Sequence, residues 1–244
     1  MCAIVPAFNE ESTVGEAVRP LLECELVDRV VVISDGSGDG TATAARAVGA
    51  EAVELPRNGG KGAALRAGSR ITRCPILLFS DADLSGLDRD FYRSLIAPVL
   101  AGERAMMVGV RDRGALLNGV QRRWGPLLSG VRCLERRMLL ATPRWALESY
   151  RVETGLNDAA RRLGAEVGVV LMPRTVSHRM KERKIGLGGG LWARTHMFAQ
   201  VLAAFLRLRW GEESRRCGPR QRSVSPGPGA GRRAPRPSAS PAPR

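Results

Sequence analysis

Two aspartates one residue apart, Asp81 and Asp83, follow the apolar run Pro75-Ile-Leu-Leu-Phe79. A continuous run of this kind marks a strand covered on both faces, so the pair is expected at the mouth of a buried strand. Carboxylate oxygens suit a hard divalent cation such as Mg²⁺ or Mn²⁺. A cation held there would offset the charge that develops on a departing diphosphate. Two further loops carry matching chemistry. Ser34-Asp-Gly-Ser-Gly-Asp-Gly40 follows the β-branched run Val30-Val-Val-Ile33, and Arg57-Asn-Gly-Gly-Lys-Gly62 follows Glu51–Leu55. The second loop is cationic and glycine-rich, which lets its backbone approach phosphates closely. Asp81-x-Asp83-x-Ser85-Gly86 copies the opening of a calcium loop, but the required glutamate at position twelve is Tyr92, and a strand rather than a helix precedes it. Lys61 is followed by Gly62 instead of Ser or Thr, which excludes a P-loop.

These loops need elements to position them. Cys2-Ala-Ile-Val-Pro6 reads as a short strand, and Asn9-Glu-Glu-Ser-Thr13 offers helix-capping chemistry ahead of an amphipathic stretch to about Leu22. Thr41–Val48 and the stretch from Gly62 to Ile71 are helical in composition. Strands and helices thus alternate four times in the first 85 residues, which predicts an α/β fold with a mostly parallel sheet flanked by helices. Ligands of such sheets bind beyond the carboxyl ends of the strands. The Asp35, Lys61 and Asp81/Asp83 loops are therefore expected to converge on one edge. Further on, Met106–Val110 and Val167–Leu171 read as strands, Trp124–Gly130 as a loop and Leu156–Leu163 as a helix. Lys181, Lys184 and Gly188-Gly-Gly190 mark a basic loop before helical character over Leu191–Trp210. Proline, serine, glycine and arginine dominate the rest, a composition that cannot bury a core. The expected organisation is a single domain over 1–210 and a disordered basic tail over 211–244.

The chain of 244 residues carries a formal charge of +14, almost all from arginine, with only three lysines. Eight arginines against two glutamates in the tail leave +8 for residues 1–210. That excess suits anionic partners: sugar nucleotides, phosphorylated acceptors or acidic membrane surfaces. Charge alone gives no reason to expect specific nucleic-acid binding. The five cysteines are scattered and lack CxxC spacing, which predicts neither a disulfide framework nor a zinc site, and a reducing cytoplasm. The apolar segment Met197–Leu206, followed by Arg207, Arg209 and Trp210, is too short to span a bilayer. It reads as a packing helix or as a peripheral membrane contact through 197–210.

In order and spacing, Pro6-Ala-Phe-Asn-Glu-Glu11, Asp35-Gly-Ser-x-Asp-x-Thr41, Asn58-x-Gly-Lys-Gly-x-Ala-Leu-Arg-x-Gly68 and Asp81-Ala-Asp-Leu84 resemble family 2 glycosyltransferases of the GT-A fold. The resemblance is to the branch containing dolichyl- and polyprenyl-phosphate sugar transferases and glucosyl-3-phosphoglycerate synthases. It is dense over residues 1–90, thinner to about 200, and absent from the tail. It implies a hexosyltransferase using a UDP- or GDP-sugar with Mg²⁺ or Mn²⁺. Pro6, Ala7 and Glu10 would line the nucleotide pocket, and Asp35 would hydrogen-bond the base. Lys61 would lie near the base or diphosphate, Asp81 would contact ribose or metal-bound water, and Asp83 would ligate the metal. Ser129-Gly130-x-Arg132 resembles the acceptor-side loop. Glu153 falls where the family often carries an acid facing the acceptor. It would be the general base of an inverting member, or a positioning group where the acceptor is an ionised phosphate. His178 would complete the metal shell, with Lys181 and Lys184 clamping the diphosphate.

Leu84-Ser-Gly-Leu87 departs from the lipid-phosphate transferases, which usually show Gln or Asp followed by His or Pro there. The acceptor therefore stays open between a polyprenyl phosphate and a small phosphorylated acid such as 3-phosphoglycerate, and the stereochemistry stays open with it. A sugar nucleotidyltransferase would need a GxGxR-type loop after the first strand, which Pro6-Ala-Phe-Asn-Glu10 is not. The alternative from a different class is a non-catalytic nucleotide-binding protein whose basic tail engages nucleic acid or membrane.

Overall fold

A computed structural model describes residues 1–112, 129–147 and 151–178. The expectations for residues 179–244, including Lys181, Lys184, the segment 197–210 and the tail, lie outside the described residues, as does most of Trp124–Gly130. The strands are β1 (Cys2–Ala7), β2 (Arg29–Asp35), β3 (Glu51–Leu55), β4 (Ile76–Phe79), β5 (Leu84–Ser85), β6 (Met106–Arg111), β7 (Arg132–Glu135), β8 (Val167–Met172) and β9 (Ser177–His178). The helices are α1 (Val14–Leu22), α2 (Thr41–Ala47), α3 (Lys61–Thr72), α4 (Arg89–Leu100), α5 (Arg136–Ala141) and α6 (Val152–Arg162), with a 3₁₀ turn at Arg144–Leu147. Each strand and helix expected in the first 85 residues is present.

Seven strands form one sheet in the order β3-β2-β1-β4-β7-β6-β8. Its pairs are parallel except those of β7, which runs antiparallel to both β4 and β6. The sheet is thus mostly parallel, as expected, with one reversed strand. Because β7 is reversed, its first residue, Arg132, pairs with Phe79 at the end of β4 and lies at the carboxyl edge. A separate two-stranded pair joins β5 to β9, with Leu84 opposite His178.

Apolar residues cover both faces of the sheet. Ala3, Val5, Val32 and Leu78 pack under α1, α2 and α4, where Val18, Leu21, Leu95 and Ile96 are fully buried. Ile4, Val31, Ile33, Leu77 and Phe79 pack on the other face under α3, α5 and α6. This two-sided cover explains why the central strands read as continuous apolar runs. At about 25 cal/mol per Å², such burial is the main stabilising term of the fold. Asp88 caps α4, its side chain accepting from the Phe91 N–H at 2.8 Å.

The cysteine expectation is corrected by the fold. Cys2 and Cys74 form a disulfide with Cα atoms 5.9 Å apart. Scattered spacing concealed it because the parallel pairing of β1 with β4 brings residues 72 apart in sequence side by side. Among the described residues, no helix is long and apolar enough to cross a membrane.

Candidate active site

The loops after β1, β2 and β3 are stitched together at the carboxyl edge. The Asn9 N–H donates to Ser37 Oγ at 3.1 Å, and the Gly38 N–H returns a bond to Asn9 Oδ1 at 2.9 Å. The Glu10 N–H donates to Thr41 Oγ1 at 2.9 Å, while its carboxylate accepts from the Thr13 hydroxyl at 2.8 Å. Glu10 is therefore buried beneath the loop, with Ala7 buried beside it and Pro6 partly buried at the end of β1. Gly36 has φ +69°, and a Cβ there would collide with the backbone of Arg57 and Asn58. Its missing side chain is what lets the second and third loops touch.

Asp35 is 3% exposed and spans that contact. Its two carboxylate oxygens accept from the Gly59 and Gly60 N–H groups at 3.0 and 2.7 Å. The residue expected to meet a base thus also fixes the start of α3 and with it Lys61. The Lys61 ammonium reaches two carboxylates, Asp81 Oδ1 at 2.7 Å and Glu153 Oε1 at 3.1 Å. All three side chains keep some exposure, 21% for Lys61 and Asp81 and 13% for Glu153, so the array opens to solvent. Burial opposes the ammonium charge, but Asp81 and then Glu153 outweigh it and hold the Lys61 pKa above the usual lysine value. Burial likewise opposes the Glu153 charge, and Lys61 and Arg132 outweigh it, so this carboxyl stays below the usual glutamate value. Both groups are ionised at neutral pH.

Ser129 and Gly130 lie against this array. A Cβ on Gly130 would collide with the Asp81 carboxylate and the Lys61 ammonium. Arg132, expected on the acceptor side, is 1% exposed and bonded inward. Its place in the interior follows from its opening a strand that lies between β4 and β6. Desolvation pushes its pKa down to about 10, against the opposing pull of Glu153 and Asp81.

Asp83 is partly buried in the turn between β4 and β5. The pairing of Leu84 with His178 brings the His178 backbone opposite the neighbour of Asp83. The chain at Asp83 thus runs beside the chain at His178; the His178 side chain lies outside the described residues. Among the described residues no cluster of three or more metal-type side chains is formed. Oxygen donors from the Asp83 carboxylate, a diphosphate and water suit Mg²⁺ and Mn²⁺ alike.

Sequence reasoning missed two functional neighbours. Asn157 lies four residues after Glu153, one helical turn away, and only a helix starting at Val152 puts both on one face. Thr41, fully buried under Glu10, was read only as part of a motif.

Three stitched loops, a glycine-lined approach and the Asp81 and Asp83 carboxylates gather at the carboxyl edge of the sheet, where ligands of α/β proteins bind. The family model for Glycosyl transferase family 2 matches residues 2–139, and the chain belongs to that family. Among curated relatives, glucosyl-3-phosphoglycerate synthase of Mycolicibacterium smegmatis is 36% identical over 174 residues, 67% of this chain and 54% of that protein. The 4,4'-diaponeurosporenoate glycosyltransferase of Staphylococcus aureus is 32% identical over 110 residues, 43% of this chain and 29% of that one. The chain spans about half the length of the first and less of the second. Glucosyl-3-phosphoglycerate synthase from Mycobacterium tuberculosis, solved with Mn²⁺, UDP-glucose and phosphoglyceric acid, matches with TM-score 0.69 and 28% identity over 85% of this chain and 78% of that one. The fold is therefore of the GT-A type that the motifs implied.

Proposed function

We propose that this chain transfers a hexose from a UDP-sugar, with Mn²⁺ or Mg²⁺, to the hydroxyl of a small phosphorylated acid. The observation that carries the proposal is the partly buried Lys61–Asp81–Glu153 array, open to solvent at the carboxyl edge two residues from Asp83 in a family 2 chain. The similar M. tuberculosis structure supports the choice of ligands, since it holds UDP-glucose and phosphoglyceric acid. A GDP-sugar donor and a polyprenyl phosphate acceptor remain the comparison substrates for the test.

In this reading Pro6, Ala7, Glu10 and Asp35 form the nucleotide side, Asp83 with His178 holds the cation, and Asp81 contacts ribose or a metal-bound water. The cation, when bound, supplies a Lewis acid that offsets charge on the diphosphate. The bond from the anomeric carbon to the phosphate oxygen breaks with its electron pair leaving on the diphosphate, the acceptor oxygen bonds the anomeric carbon, and the hydroxyl proton passes to the departing phosphate oxygen. Ionised Glu153 accepts a hydrogen bond from the acceptor hydroxyl and orients it. Lys61 presents its ammonium to the donor phosphates. Ser129 and Gly130 form the acceptor side of the opening. We further propose a cytoplasmic location, where phosphorylated ligands of this kind are made and where the Cys2–Cys74 bridge has to hold against reducing thiols, with 197–210 as the segment for any peripheral membrane contact.

The test is thermal unfolding with UDP-glucose or GDP-glucose, each with and without Mn²⁺, followed by product analysis with 3-phosphoglycerate. A ligand that binds only the folded state stabilises by about 2.7 kcal/mol at a hundredfold excess over its Kd. A Mn²⁺-dependent rise with UDP-glucose, lost in Asp83→Ala, is the expected outcome. Salt-sensitive DNA binding with no response to any sugar nucleotide would instead favour the non-catalytic alternative.

A further inference from the structure

Arg132 heads the largest fully buried side chains among the described residues, at 1% exposure. A guanidinium is costly to bury unless its N–H groups find partners. Its Nε donates to the Ser129 carbonyl at 2.9 Å. Its Nη1 donates to Asn157 Oδ1 at 3.0 Å and reaches the Glu153 carbonyl at 3.5 Å. Glu153 and Asn157 sit one turn apart at the start of α6, so Arg132 grips the turn that aims the Glu153 carboxylate. Ser129 begins the segment whose next residue, Gly130, lies against Asp81 and Lys61. One buried cation thus joins β7, the start of α6 and the turn beside Asp81. Its charge also favours the ionised form of Glu153.

We propose that Arg132 is a positioning residue, holding the Glu153 carboxylate and the Ser129–Gly130 turn in register with Asp81 without touching the acceptor. The proposal rests on the transferase reading above and narrows it: the acceptor meets Glu153 and the Ser129–Gly130 turn, and Arg132 acts through them. A lysine cannot replace it, because a point charge does not supply the planar fork that reaches Ser129 and Asn157 together.

The experiment uses the full chain and the variants Arg132→Gln, Arg132→Lys and Asn157→Ala, with UDP-glucose, Mn²⁺ and 3-phosphoglycerate. Misplacing a reacting group by about 1 Å can cost about 100-fold in rate. Accordingly, kcat should fall by about 100-fold in both arginine variants and about tenfold in Asn157→Ala, with both KM values within about threefold of wild type. A tenfold or larger rise in the acceptor KM with kcat intact, and no effect of Asn157→Ala, would make Arg132 an acceptor contact and overturn the proposal. If the arginine variants do not fold, Asn157→Ala decides: loss of kcat with KM kept supports positioning, and unchanged kcat overturns it. A readout independent of turnover is the Glu153 carboxyl titration followed by carbon NMR. Arg132→Lys keeps the charge but loses the fork to Ser129 and Asn157, so it should still raise the midpoint by loosening the Glu153–Lys61 pair, and an unmoved midpoint in the folded variant counts against the proposal. Should wild type transfer to no acceptor, the transferase reading fails, and this titration still decides what Arg132 does.

Discussion

Lys61 is one ammonium shared by carboxylates that arrive from distant parts of the chain, Asp81 after β4 and Glu153 at the start of α6. The glycine beside it is as consequential as the charges. Gly130 has no room for a Cβ, because the Asp81 carboxylate and Lys61 ammonium occupy that space. Gly130→Ala is therefore expected to push the ion pair apart while leaving the sheet intact. Forcing one methyl into a filled site typically costs about 1–3 kcal/mol, which chemical denaturation would register. Calorimetry should show the affinity for UDP-glucose with Mn²⁺ falling by about tenfold, or about 1.4 kcal/mol. Unchanged affinity would mean that the donor does not need Lys61 and Asp81 in contact. Asp81 and Lys61 were legible in the sequence, since a DxD pair and a lysine in a glycine-rich loop each stand out, whereas Glu153 was placed by the family resemblance alone. The role of Gly130 was not legible, because nothing local says which side chains will lie over it.

At the scale of elements, α3 and α6 deliver the two ends of the array, and each has a distinct sensitivity. Gly62, in the first turn of α3, faces the Leu147 carbonyl so closely that a Cβ would overlap it. Backbone cannot yield as a side chain can, so Gly62→Ala should destabilise by about 3 kcal/mol and lower the midpoint of urea unfolding. The sensitivity of α6 is to pH. The Glu153 pKa is depressed in the folded protein, so its contribution to stability is present above the unfolded glutamate value of about 4.3. It is lost as pH falls through the lower folded value. Glu153→Gln should therefore have a lower Tm than wild type at pH 7, and the difference should shrink as pH is lowered towards 3. A difference that stayed constant over that range would show that the Glu153 charge is not coupled to folding. The alternating strands and helices of the first 85 residues were readable because buried parallel strands leave unbroken apolar runs. β7 was not readable: Arg132-Cys-Leu-Glu135 is four residues with a charge at each end, and its reversed direction is set by its neighbours. The spacing of Phe91, Leu95, Ile96 and Val99 behind Asp88 carries the signal of α4.

For the whole molecule, the site and the disulfide occupy opposite ends of the same strands. The loops of the candidate site follow the carboxyl ends of β1 and β4, whereas Cys2 begins β1 and Cys74 precedes β4. Sequence spacing missed the bridge because the contact is a product of topology: the chain traverses α1, β2, α2, β3 and α3 before returning beside β1. A crosslink closing a loop of this size reduces the entropy of the unfolded chain, worth about 4 kcal/mol in the loop-closure estimate. Reductant should therefore lower the Tm of wild type by several degrees and leave Cys74→Ser, already without the bridge, unaffected. Cys2→Ser should match Cys74→Ser. Because the bridge lies at the amino ends of the strands, sugar transfer at a temperature well below both Tm values should not change on reduction. A Tm indifferent to reductant, together with alkylation of Cys74 in the native protein, would show that the two thiols are neighbours without being joined. A loss of transfer on reduction at that same low temperature would show instead that the amino end of the sheet controls the geometry of Lys61, Asp81 and Glu153.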